Sequence, residues 1–156
     1  MSRWHKPGCA TPDIVVDTST QTPSCRACGA TPDLTSLIRE QAHASPFPEP
    51  PPDQPRGHFR LAYLSPPPPN GSPPTDDAPV HLTLEVYPLT NCPAYETVSY
   101  CWAGEDGDDT RCRPVYVGEY WDVMLHTRNC WEMLRSSSTL DRMLRRSCRR
   151  GGIHVE

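Results

Sequence analysis

Tyr95–Arg135 reads YETVSYCWAGEDGDDTRCRPVYVGEYWDVMLHTRNCWEMLR, and this stretch decides the fold. Val98, Tyr100 and Trp102 alternate with polar residues, which predicts a strand over Tyr95–Trp102. Glu105–Asp109 (EDGDD) is an acidic turn. Arg113–Gly118 predicts a short strand closed by glycine. Thr127 is a credible N-cap, and Cys130, Trp131 and Leu134 then share one helical face. Strand, turn, strand and helix in close succession point to an α/β fold.

Working upstream, Val80–Leu89 (VHLTLEVYPL) alternates through Val80, Leu82, Leu84 and Val86, with Pro88 set to end the strand. His58–Leu64 (HFRLAYL) alternates through Phe59, Leu61 and Tyr63. Of the 20 prolines, 13 fall between Pro46 and Pro79. Proline lacks the N–H and fixes φ, so these stretches read as extended linkers. Before them, residues 34–43 carry Leu34, Leu37 and Ile38 at helical spacing. The organisation expected is therefore 1–33 as a Cys/His segment, 34–57 as a short helix and Pro-rich linker, 58–135 as the α/β body, and 136–156 as an Arg-rich tail. In the tail, Ser138-x-x-Asp141 reads as a capping box opening a second helix with Leu140, Met143, Leu144 and Cys148 on one side.

The body resembles the N-terminal part of the fungal heterokaryon-incompatibility (HET) domain. The likeness spans Phe59–Arg135 and is most specific from Tyr95. Tyr95, Glu96, Val98, Ser99, Tyr100 and Trp102 match that family's Tyr-Glu-x-hydrophobic-Ser-Tyr-x-Trp block. Gly104 follows one residue late, with Ala103 where the family places its first glycine. Val115-Tyr116-Val117-Gly118 matches its small strand, and Thr127-Arg128-Asn129 the start of its helix. The resemblance stops after Arg135. There the family continues with a buried Trp-hydrophobic-Asp-Ala strand, whereas this chain has SSSTLDRMLRRSCRRGGIHVE. A shifted reading frame or mis-joined exon produces a switch of this kind, and the loss of a central strand predicts open sheet edges.

The resemblance implies a partial fold similar to the Toll/interleukin-receptor domain. It also implies a role in fungal non-self recognition and programmed cell death, exercised through HET-type partners or self-association, and a truncated version that is inactive. Some proteins of that similar fold hydrolyse NAD, which here would fall to Glu96 or Glu105. There is no G-x-G-x-x-G and no P-loop to hold a nucleotide.

His5, Cys9, Cys25 and Cys28 follow a separate logic. Their H-x3-C-x15-C-x2-C spacing gives two close ligand pairs joined by a loop, as tetrahedral zinc requires. Gly29 lets the turn tighten behind the second thiolate. A structural zinc would contribute roughly 10–16 kcal/mol to so short a segment. The alternative is a flexible N-terminus with incidental thiols. The remaining cysteines, Cys92, Cys101, Cys112, Cys130 and Cys148, read as small buried hydrophobes.

Bulk properties narrow the classes. With eight cysteines but no apolar leader and no run long enough to span a bilayer, the chain reads as cytoplasmic, where spaced thiols favour metal over disulfides. Net charge is −4, yet six arginines lie from Arg135 onward. Without interleaved aromatics, that basic run predicts a solvated face and no nucleic-acid partner.

Overall fold

The computed structural model describes residues 1–41, 57–65, 78–97, 107–144 and 152–154. It is mixed α/β, with elements β1 (Ile14–Val16), β2 (Pro23–Cys25), α1 (Leu34–Gln41), β3 (His58–Leu64), β4 (Val80–Pro88), β5 (Tyr95–Thr97), β6 (Arg111–Val117), β7 (Asp122–Thr127), α2 (Arg128–Leu144) and β8 (Gly152–His154). β1 and β2 form a small antiparallel hairpin. The other six strands form one sheet in the order β5-β8-β3-β4-β6-β7.

β3 and β4 pair antiparallel along their length, from His58↔Pro88 to Leu64↔Leu82. β4 then runs parallel to β6, and β6 turns back antiparallel into β7. Alternation along these strands supplies two apolar faces. Val115 and Val117 join Ala62, Val80, Leu82, Cys130 and Leu134 under α2. Tyr116, Val123 and Leu125 face the other way, against Leu34, Leu37 and Ile38 of α1 and against Trp4 and Trp121. The sheet is thus covered on both sides by helices, α1 on one face and α2 on the other.

Local chemistry explains both helix starts. The Asp33 carboxylate accepts from the Ser36 backbone N–H at 3.1 Å and from its hydroxyl at 2.6 Å, capping α1. The Thr127 hydroxyl oxygen accepts from the Cys130 N–H at 3.4 Å and starts α2.

Three expectations need correction. No second helix opens at Ser138, because α2 runs unbroken from Arg128 to Leu144. The hydroxyls of Ser136 and Ser137 donate to the Glu132 and Met133 carbonyls one turn back, so they satisfy themselves within the helix. The tail also does more than end in a charge run: β8 lies between β5 and β3, pairing Ala62↔Ile153 and Glu96↔Ile153. Finally, of the cysteines expected inside, Cys130 is buried, but Cys112 is half-buried and Cys92 exposed. Cys101 and Cys148 lie outside the described residues.

The β6–β7 turn positions the site described next. Gly118 and Trp121 both adopt left-handed backbone, at φ 72° and 50°. Glycine does this freely, while for Trp121 it is strained and needs external support. That support is visible. The Trp121 ring stacks on His81 at 4.4 Å and tilts against Tyr116 at 5.4 Å. His81 is itself pinned, its Nε2–H donating to the Gly118 carbonyl (2.8 Å) and its Nδ1 accepting from the Ser65 hydroxyl (2.7 Å). Burial lowers the His81 pKa, which favours the neutral ring this pattern needs.

Candidate metal centre

The β1–β2 hairpin brings Cys25 opposite Ile14. Its connecting loop is tied by Asp17, whose carboxylate accepts from the Ser19 and Thr20 backbone N–H groups at 2.8 Å each. Just beyond β2, the chain tightens into a knuckle. The Gly29 N–H donates to the Cys25 carbonyl at 2.7 Å and the Cys25 N–H to the Ala30 carbonyl at 2.9 Å. Gly29 sits at φ 68°, a left-handed conformation that favours glycine. A second turn, with the Cys9 N–H donating to Lys6 O at 3.1 Å, brings Cys9 back over His5.

These turns converge His5, Cys9, Cys25 and Cys28, with one ligand atom from each all within 4.8 Å of one another. His5 Nδ1 lies 3.7 Å from Cys9 Sγ and 3.6 Å from Cys28 Sγ, and Cys9 Sγ lies 3.9 Å from Cys25 Sγ. Tetrahedral zinc, with Zn–S near 2.3 Å and Zn–N near 2.0–2.1 Å, puts sulfurs about 3.8 Å apart and sulfur–nitrogen pairs about 3.6 Å apart. The three contact distances fit that figure within a few tenths of an ångström.

Electrostatics prepare the donors. Backbone N–H groups of Lys6 and Ala30 draw the Cys28 thiol down to about 7 against the opposing effect of burial. Burial also opposes ionisation of Cys25, but the N–H groups of Asp13, Cys28 and Ala27 outweigh it and its pKa is lowered. Burial, with the neighbouring Cys28 and Cys25 thiols, pushes Cys9 up to about 11. Three thiols and an imidazole this close cannot all present deprotonated donor atoms without a cation to hold the charge, which a bound metal ion would supply.

The histidine is oriented from outside the cluster. Its Nε2 lies 2.8 Å from the Tyr120 carbonyl. A carbonyl only accepts, so Nε2 carries the proton and Nδ1 presents its lone pair to the metal position. Trp4 stacks on the ring at 4.1 Å, and Tyr120 meets it edge-on at 5.8 Å.

Sequence reasoning selected these four residues but missed what docks them to the sheet. The Ser2 and Val123 backbones exchange hydrogen bonds at 2.8 and 2.9 Å. Arg3 grips the Asp122 carboxylate through two bonds of 3.0 Å and lies 4.0 Å over the Tyr120 ring. The Trp4 indole N–H donates to Trp121 O at 2.7 Å, and the Tyr120 hydroxyl donates to Ala10 O at 2.7 Å. The only sequence signal was the aromatic neighbour of His5 and the aromatic pair in the turn.

The HET-type motif residues fall elsewhere. Tyr95 and Glu96 sit on β5, at the opposite edge of the sheet from β7, where Tyr95 is exposed and lies 5.6 Å from the Phe59 ring. Asn129 is in the first turn of α2. Ser99, Tyr100, Trp102, Gly104 and Glu105 lie outside the described residues. Among the described residues no helix is long and apolar enough to cross a membrane. Comparison of the chain with protein-family models, with curated proteins and with solved structures gives no match in any of the three.

Proposed function

We propose that the chain is a zinc-clamped protein-interaction module of the HET type, working in the cytoplasm by binding rather than by chemistry. The observation that carries the zinc is the convergence of His5, Cys9, Cys25 and Cys28 to within 4.8 Å. Four protein donors complete a tetrahedron and leave no position for substrate, so the metal is structural. The HET-type reading, with its Toll/interleukin-receptor-like fold, rests on the ordered motif from Tyr95 to Asn129. It implies self-association or a HET-type partner in fungal non-self recognition. The departure after Arg135 makes this version one that binds without triggering programmed cell death.

Three measurements test the proposal. Elemental analysis of the purified chain should find one zinc per chain, and none would remove the clamp. Expression of this chain in a fungal cell should leave growth intact, whereas robust death would overturn the inactive reading. Sedimentation of the zinc-loaded chain over a range of concentrations reports self-association directly.

A further inference from the structure

The metal centre and the sheet edge are joined by one short segment, residues 2–5. Ser2 forms a two-hydrogen-bond bridge with Val123, on the outer side of β7. β7 is the last strand in the sheet order, so this bridge covers an edge that would otherwise offer its backbone groups to solvent or to another strand. Three residues further on, the same segment ends in His5, whose ring bonds the Tyr120 carbonyl on one side and faces the thiols on the other.

We infer that the zinc centre is a latch for the β7 edge: metal binding and closure of residues 2–5 over Val123 are one coupled equilibrium. The inference rests on the zinc reading and adds a regulatory consequence. Whatever withdraws the metal uncovers the edge. By reciprocity, whatever loosens the segment weakens the metal, and by the same factor.

The geometry makes the latch separable from the ligands. The Ser2–Val123 bonds are made by backbone atoms alone, so Ser2→Ala keeps both. Ser2→Pro removes the Ser2 N–H and with it the bond to Val123 O. Arg3→Ala removes the grip on Asp122 at an exposed position that does not threaten folding. None of these changes touches a metal ligand.

The test uses the full chain with zinc as the probe. Zinc affinity is measured by competition with a chromophoric chelator, and hydrogen exchange is followed at the Val123 amide, with Val115 as an interior reference. Ser2→Pro is expected to weaken zinc about tenfold, Arg3→Ala severalfold, and Ser2→Ala not at all. Removing zinc from the unaltered chain should speed exchange at Val123 tenfold or more and leave Val115 protected. If the chain binds no zinc, the metal reading itself fails, and the latch with it. If zinc binds but Ser2→Pro and Arg3→Ala leave its affinity unchanged, or Val123 exchanges equally with and without metal, the latch is overturned while the metal reading stands.

Discussion

His5 Nε2 bonds the carbonyl oxygen of Tyr120 at 2.8 Å, although the two residues are 115 positions apart in the chain. That single contact fixes which nitrogen of the ring is free for metal. It also ties a segment with little apolar surface of its own to the edge of the large sheet. The left-handed backbone at Gly118 and Trp121 shapes the turn that carries this carbonyl, so the sheet and the metal centre determine one another's geometry.

Cys25 is the most enclosed ligand, 1% exposed. Cys25→Ser should abolish stoichiometric zinc, with a loss of affinity exceeding the roughly 10–100-fold typical when only an outer hydrogen bond to a ligand is removed. Its thermal transition should match that of the unaltered chain in chelator. A transition unchanged from the zinc-loaded chain would show that the metal contributes nothing to the fold. Because zinc competes with protons for these thiols, its apparent affinity should fall as pH is lowered through the range near 7 where Cys28 titrates.

Trp4 links the two systems, stacking on His5 and packing with Tyr116, Val123 and Leu125. Trp4→Ala should cost about 2–3 kcal/mol, below the 3–5 kcal/mol of a fully buried aromatic because Trp4 is only partly covered. Trp4→Phe should recover part of this, since it restores a ring but not the indole donor to Trp121 O. Urea denaturation of both variants measures it.

His126 lies on β7 with 8% exposure, and burial, with the nearby Arg111 charge, pulls its pKa down from 6.5 to about 4. Above about pH 6.5 the ring is neutral in the folded and unfolded chain alike. Between that value and about 4 only the unfolded chain takes up the proton, so stability falls as pH falls, by about 3 kcal/mol across the interval. His126→Gln should flatten that part of the pH profile of the urea midpoint. An unaltered slope would locate the acid sensitivity elsewhere.

β8 joins β5 to β3 through backbone pairing at Ile153. Proline cannot donate to such a ladder. Ile153→Pro should therefore release β5 from the sheet, speeding amide exchange at Glu96 and Thr97 while β4, β6 and β7 remain protected. If β5 stays protected, the tail is not what holds it.

β3 was legible to the residue, and β4 nearly so, because each alternates between apolar and polar positions. β7 was not. Its Val123 and Leu125 face one apolar layer, while Met124 packs into the other and His126 is buried as well, so covering both faces erases the alternation that announces a strand. β1 and β2 are three residues each, too short for periodicity to show. β8 was hidden for a different reason: its short segment follows an arginine run that reads as a solvated helix, and only pairing with distant strands gives it a role. The grouping of His5, Cys9, Cys25 and Cys28 was legible because their spacing alone suggests two close pairs. The segment that seats them was not, because its bonds to residues 120–123 mix backbone and side-chain atoms and join residues far apart in the chain, which no local spacing pattern announces.

The bidentate grip of Arg3 on Asp122 spans 119 positions, and this separation sets an order of events during synthesis. At roughly 5–20 residues per second, about 6–24 s pass between the two residues leaving the peptidyl-transferase centre. From the synthesis of Cys28 onward, which is most of that interval, the four donors are already made, while the edge they dock against does not yet exist. A nascent chain can therefore meet zinc before it has a sheet to close on. Metal captured early would turn a slow search over a long loop into the docking of a preassembled knuckle, whereas oxidant met early would find three unguarded thiols.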